Sequence, residues 1–501
     1  MRLDKRFIIN VIIPITILTL LLSGCGVNRN TESKAAELNP RTLKTYDVAG
    51  MIWPVNPEQM ISPDNKWVLG TRSQSSGFSV VAMPLSGSSK EPVSVARAEA
   101  EWLKQNLFGY YPLGWKTTDA FLFIAAGTQP DGPHKDKQGV SIRIGSVSGK
   151  SAEEIGWLEL DNGMMSWAEY LPQKDRVYFH VTQAVWEFDV TNKQMRKIKG
   201  ELPDYDGFFY PKLSPSGDYF VYELYEEDKK GVYLLDAKTG EERPLLPAGD
   251  NLSFYPAWSP DGKYIAAYTV PLKAGQRTGT WSDYDYLPAE DGPQPVSPVI
   301  TVVDVQGRIV NQFKVEGKLL SGFRWSNDSN TLGFAAGVLK NGEPPGVNFE
   351  SVWLGSVASK DNNVTKLADI SQMGQGPAAY VFVDGMDATG KGMISEVYRE
   401  SGSELYYVRE GKEPLRVVGS LNTPGMTPVF QEYVLGLVQT SGKAALWLFG
   451  KDKAQKTMEF SAKDANILGY NESMVVVSSG ELPSFDENMK RTINVIKLLD
   501  D

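Results

Sequence analysis

The 501-residue chain holds one cysteine and two histidines, and these scarcities exclude much familiar site chemistry. A lone Cys25 rules out an intramolecular disulfide, even in an oxidising compartment. Without a second cysteine or a histidine cluster, no zinc or redox centre and no bound cofactor is expected. The sequence also lacks H-E-x-x-H, G-x-S-x-G and any glycine-rich phosphate loop. Basic excess is missing too: 51 Lys and Arg stand against 61 Asp and Glu, which argues against nucleic acid or anionic lipid as the main partner. The N-terminal apolar run, residues 7–22, is about 16 residues long, short of the roughly 20 that a spanning helix needs.

The N-terminus nonetheless has a definite pattern. Arg2, Lys5 and Arg6 precede the apolar run, and small residues Ser23 and Gly24 follow it. A basic start, an apolar middle and small residues describe a cleaved export signal over residues 1–24. Leu22-Ser23-Gly24-Cys25 resembles the bacterial lipobox, in which the cysteine is acylated and becomes the new first residue. The resemblance implies a lipid (palmitate-type) anchor on Cys25 and a location on the extracytoplasmic face of the cell membrane. More than one acyl chain on one residue meets the requirement for stable anchoring. Loss of residues 1–24 removes three basic and one acidic residue, leaving 48 against 60. Residues 25–41 then read as a lipidated tether, polar and ending near Pro40.

From residue 42 to 501 no Pro- or Ser-rich linker divides the chain, and internal repeats take over. Trp258 precedes Ser259-Pro260-Asp261-Gly262-Lys263-Tyr264-Ile265-Ala266. Variants start at Ser62-Pro63-Asp64-Asn65, Ser214-Pro215-Ser216-Gly217 and Ser326-Asn327-Asp328-Ser329, with worn copies at Trp115 and Tyr170. Proline presets the first turn position, Asp or Ser bonds back to the backbone, and Gly or Asn accepts positive φ. A second pattern closes the units in Phe188-Asp189, Leu235-Asp236 and Val303-Asp304, each followed by a turn and a short strand. Four strands in about 45 residues is the size of a propeller blade.

These repeats resemble those of TolB-like β-propellers, whose hallmark is a Ser-Pro-Asp-Gly-Lys turn after an aromatic. The match is good over residues 45–340; beyond, units near Asp387, Pro428 and Asn471 follow from spacing and strand pattern. The resemblance implies an all-β fold, a single β-propeller of four-stranded blades. About nine units can be counted, but propellers usually stop at eight. Eight blades are therefore expected, within a range of seven to nine. The last unit ends one strand short at residues 493–498, and residues 42–48 are strand-like. Pairing the two would close the ring and remove an open edge.

Chemistry is sparse. His180 lies in an apolar strand and reads as packed or on a rim; His134 lies in a loop and reads as solvated. Asp204-Tyr205-Asp206-Gly207 and Asp261-Gly262 read as plain turns rather than calcium loops. Trp115, Trp258 and Trp325 read as inter-blade core. The best functional lead is an insertion: from the motif serine to the closing aspartate is 45 residues in the 259 unit but 22 in the 214 unit. It carries Trp281, Asp283, Tyr284, Asp285 and Tyr286, aromatic and acidic residues suited to a binding loop. The expectation is a lipid-anchored, non-catalytic scaffold that binds a protein or cell-envelope polymer. The alternatives are an envelope enzyme acting on saccharides through paired carboxylates, and a sensor of a small ligand at the channel mouth.

Overall fold

The computed structural model describes residues 38–499 apart from 54–55, 161–164, 203–210, 227–228, 248, 250, 272–286, 290–291, 295–298, 341–345, 360–362, 401, 418, 422–428, 431–432, 451–452 and 482–488. Nine antiparallel sheets follow one another along the chain, each a blade of a single β-propeller. Blades 1 to 8 take residues 51–99, 108–159, 165–199, 212–247, 251–313, 319–369, 380–417 and 420–460. Blade 9 takes residues 464–499 and, as its outermost strand, Leu38–Ala49. The expected count of eight is thus corrected to nine, at the edge of the expected range. All three units placed by spacing alone, at 387, 428 and 471, form sheets of their own. In blade 8 the inner strand comes in two pieces, Ser420–Leu421 and Val429–Phe430, both paired to Tyr433–Thr440.

Closure follows the expected route. Thr42 pairs with Ile496, Tyr46 with Ile493 and Val48 with Arg491. The strand begins already at Leu38, inside the stretch read as tether. Pairing first and last strands covers residues 490–499 on the side where an open ring would leave an edge.

Each repeat turn is built as its composition dictates. Ser259 Oγ donates to Asp261 Oδ1 (2.8 Å) and accepts the Tyr264 amide (2.9 Å). Ser62 and Ser326 do the same with Asp64 and Asp328. These hydroxyls are fully buried, so each bond satisfies a group that would otherwise be costly. The turns end in positive φ at Asn65, Gly217, Gly262 and Ser329. In blade 7, Asp387 replaces the serine, and its Oδ1 takes the Thr389 and Lys391 amides. The closing aspartates cap the next turn: Asp236 Oδ1 accepts the Lys238 and Thr239 amides, both at 2.8 Å.

Middle strands are apolar on both faces because a neighbouring blade covers each face. Phe121 to Ala125 are all 0% exposed, and each large side chain there contributes roughly 1.5–3 kcal/mol by burial. Core clusters run between blades, as where Phe313 of blade 5 stacks on Phe334 of blade 6. The tryptophans before the turns act as expected. Trp115 Nε1 donates to Met60 O (2.8 Å), Trp258 Nε1 to Lys212 O (2.9 Å) and Trp325 Nε1 to Ala257 O (3.2 Å). Each latches its blade to the preceding one at the same level.

Candidate functional site: the channel wall

The latches define an equivalent position on the inner strands of eight blades, two residues before the one that opens the repeat turn. That position holds Gly114, Ala257, Gly385 and Gly469 in blades 2, 5, 7 and 9, and Met60 in blade 1. In blades 3, 4 and 6 it holds Glu169, Lys212 and Arg324. Three ionisable side chains therefore share one level of the ring, where Met60 is wholly buried and Ala257 packs on the core between blades 5 and 6. Each is surrounded by protein yet only half-buried, as a channel wall requires.

The surroundings shift their titration. Burial pushes Glu169 up to about 8, and the like charge of Glu58 adds to the rise. Burial also raises Glu58 to about 7, although the Tyr470 hydroxyl donates to its Oε1 at 3.0 Å. Glu58 belongs to a segment that crosses several blades: Gln59 Nε2 donates to Tyr170 O of blade 3 (3.2 Å), and the Tyr470 amide of blade 9 to Pro57 O (3.3 Å). Burial lowers Lys212 to about 8; Glu223 counters that fall and Arg324 deepens it. Lys212 Nζ donates to Pro256 O at 2.7 Å.

Blade 7 adds a carboxyl pair. Asp384 is 2% and Glu396 1% exposed. Burial, then the Glu396 charge, lifts Asp384 to about 7, while Arg324 pulls the other way. Tyr398 lies beside Glu396, whose charge adds to burial in holding the phenol protonated. Above this pair on the same strand stand Phe382 and Tyr380, 47% and 62% exposed, stacked at 6.4 Å, with Tyr398 edge-on to Phe382 at 5.5 Å. Tyr380 and Phe382 lie on one face of the strand, and Asp384 follows at the bulge between Val383 and Gly385, about 13 Å from Tyr380 at most. Blade 5 contributes a second aromatic group, Phe254, Tyr255 and Tyr268, with Phe323 of blade 6 against Tyr268 at 5.0 Å.

The residues singled out from sequence fare differently. Cys25 and the loop residues Trp281, Asp283, Tyr284, Asp285 and Tyr286 lie outside the described residues, as does the 204–207 turn. The insertion leaves the sheet at Pro271 and returns at Val299, with a small hairpin, Leu287–Ala289 on Gly292–Gln294, inside it. Asp261 is spent on its own turn, taking Ser259 and Lys263. His180 is packed as expected, its Nδ1 2.8 Å from Ser166 Oγ, and burial lowers it to about 4. His134 lies in the loop as expected but is only partly exposed: its Nδ1 is 2.6 Å from Glu154 Oε1 and its ring stacks on Trp157 at 4.3 Å. The channel-wall residues were missed, although stepping back from each turn motif to the position before the aromatic would have found Glu169, Lys212 and Arg324.

No protein-family model and no curated protein sequence matches the chain. Among solved structures it is similar to an oligogalacturonate lyase from Vibrio parahaemolyticus, at 10% identity and a TM-score of 0.37, over 75% of this chain and 98% of that one. It is similar to the β-propeller domain of the Trilobed protease from Pyrococcus furiosus, at 13% identity and a TM-score of 0.36, over 64% and 92%. A third is the acylaminoacyl peptidase of Pyrococcus horikoshii, at 11% identity and a TM-score of 0.35, over 68% of this chain and 47% of that one. The chain spans about half the length of that peptidase. These likenesses concern the β-propeller fold alone, which the nine-sheet order of this chain establishes by itself.

Proposed function

We propose that this protein is an extracytoplasmic lipoprotein with TolB-like repeats, tied to the cell membrane by lipid on Cys25, and that its propeller binds an envelope partner without transforming it. The observation that carries the binding reading is the grouping of ionisable and aromatic side chains on the inner strands of blades 3 to 7. Buried charges elsewhere in the ring are paired, as Arg143 with Asp131 and Arg491 with Asp464, whereas the half-buried Glu169, Lys212 and Arg324 have no ion pair among the described residues, and with the exposed rings nearby this favours contact over stability. The blade 5 insertion, with Trp281, Asp283, Tyr284, Asp285 and Tyr286, leaves at the end of a second strand. That is the end of a blade at which Tyr380 begins its inner strand.

The test is photocrosslinking in intact cells, from a photoreactive phenylalanine at position 382 and another at position 284. One captured species common to both supports the reading; no capture from either rejects it. A second reading, saccharide chemistry by paired carboxylates, draws on Glu58 and Glu169, half-buried together and both raised toward neutrality, as a general acid must be. Turnover of an envelope polysaccharide that Glu169→Gln abolishes, with the fold intact, would establish it instead.

A further inference from the structure

Two cations stand close together in a protein whose net charge is −10, and this is the least expected feature of the channel. Lys212 of blade 4 and Arg324 of blade 6 flank blade 5, where the equivalent position is Ala257. Ala257 puts no polar group of its own between them, and its methyl group packs on the core between blades 5 and 6. Lys212 spends one donor on Pro256 O, leaving two ammonium protons for another acceptor. Arg324 Nη1 reaches only the carbonyl of its neighbour Phe323, at 3.4 Å, and its buried Nε has no partner. Among the described residues no carboxylate lies within ion-pair distance of either cation. Glu223, the acid nearest in effect to Lys212, takes the Tyr255 amide at 2.7 Å, and Asp384 is shared with Glu396. Like charges held together with unused donors are costly unless something anionic offsets them.

We propose that Lys212 and Arg324 form an anion subsite on the channel wall, and that the bound partner presents a carboxylate or phosphate group over Ala257 between them. The inference rests on the binding reading above and names the charge of what is bound. A planar guanidinium and a mobile ammonium suit an oxyanion approached from two sides. Three titrating neighbours bear on Lys212: Glu223 and Arg324 directly, and Asp384 through Arg324.

The test is calorimetry on the full chain with inorganic phosphate and, separately, citrate, at pH 6.5 and an ionic strength fixed with chloride. Wild type is expected to bind at least one of them with one-to-one stoichiometry. Lys212→Met and Arg324→Met should each weaken binding at least tenfold, while Lys412→Met, in an exposed turn, should not. Preference for phosphate or for citrate identifies the recognised group, and either outcome supports the subsite. Equal affinity in all variants, or no binding by wild type, overturns it. Should the methionine variants misfold, wild type alone decides. From about pH 7.5 to 9.5 citrate is essentially all trianion while Lys212, lowered to about 8, loses its proton, so its affinity must fall at least threefold; a constant affinity overturns the subsite. Capture from position 382 does not depend on charge, so a failed anion titration with successful capture discards the anion and keeps the binding reading.

Discussion

Tyr255 and Gly322 occupy the same bulge position on the inner strands of blades 5 and 6, with φ of +54° and +53°. In both blades the register to the second strand breaks there, between Phe254 and Ala257 and between Ser321 and Arg324. Glycine meets that geometry without strain, whereas a residue with a Cβ is strained by roughly 1–2 kcal/mol. The Tyr255 amide is held by Glu223 and its ring rests near Phe254 and Tyr268. A strained tyrosine where the adjacent blade uses glycine points to use of its side chain. Tyr255→Val should be less stable than Tyr255→Gly by about 1–2 kcal/mol or more, because a β-branched residue tolerates this φ worst. Denaturant titration of both variants checks the order, and Tyr255→Gly should also reduce partner capture.

The latch from Trp115 to Met60 O combines a nearly buried ring with a buried hydrogen bond, and the two parts separate by mutation. Trp115→Ala removes both and should cost about 3–5 kcal/mol. Trp115→Phe keeps most of the packing, and the Met60 carbonyl keeps the Leu69 amide (2.9 Å) as a donor, so only the net worth of one hydrogen bond is lost, about 0.5–1.5 kcal/mol. Thermal unfolding of the two variants against wild type measures the difference.

Fold and site differ in how much the sequence discloses. The Ser-Pro-Asp-Gly turns are legible because Ser259, Asp261 and Gly262 are each demanded by a local bond or a positive φ. Blades at 387 and 471 were harder, since Asp387 and Asn471 replace the serine while serving the same turn amides. The blade count was misjudged only in setting one of nine visible units aside. The channel wall was illegible for another reason. Lys212, Arg324 and Glu169 look like ordinary surface charges along the chain, and only ring closure brings blades 3, 4 and 6 around one axis. His134 illustrates the same limit: its partners Glu154 and Trp157 come from a strand some 20 residues away, which no local pattern reveals.

Ring closure makes its own prediction. The strand Leu38–Ala49 supplies the outer edge of blade 9, with Thr492 Oγ1 donating to Asp47 Oδ1 at 2.9 Å across it. A chain starting at residue 50 should expose residues 490–499 as an unpaired edge. It should melt at lower temperature and self-associate with rising concentration. Light scattering combined with thermal unfolding checks both. An unchanged melting curve would mean that the ring closes without this strand.

Anchoring through Cys25 is tested by Cys25→Ala. The variant should appear in the soluble fraction or accumulate with its signal uncleaved, and should lose incorporation of labelled fatty acid. Retention in the membrane fraction with unchanged labelling would count against lipid attachment at this residue.

The Glu58–Glu169 pair sets a pH dependence whose sign can be worked out. Both carboxyls have an ordinary value of 4.5 and rise to about 7 and about 8 in the folded chain. Between those limits the folded state holds protons that the unfolded chain has released, so stability falls as pH rises and levels off once both are ionised in both states. Asp384, raised from 3.8 to about 7, acts in the same direction. His180, lowered from 6.5 to about 4, works oppositely, since the unfolded chain then binds the extra proton, but its effect ends near pH 6.5. Lys212, lowered from 10.5 to about 8, begins to favour the folded state only above pH 8. The interval from pH 6.5 to 8 therefore isolates the carboxyls. Wild type should lose melting temperature across it, and Glu169→Gln should show a shallower slope and a higher melting temperature at pH 8. Parallel curves for the two proteins would show that Glu169 is ionised throughout, and with it that the channel wall is more open to water than its surroundings imply.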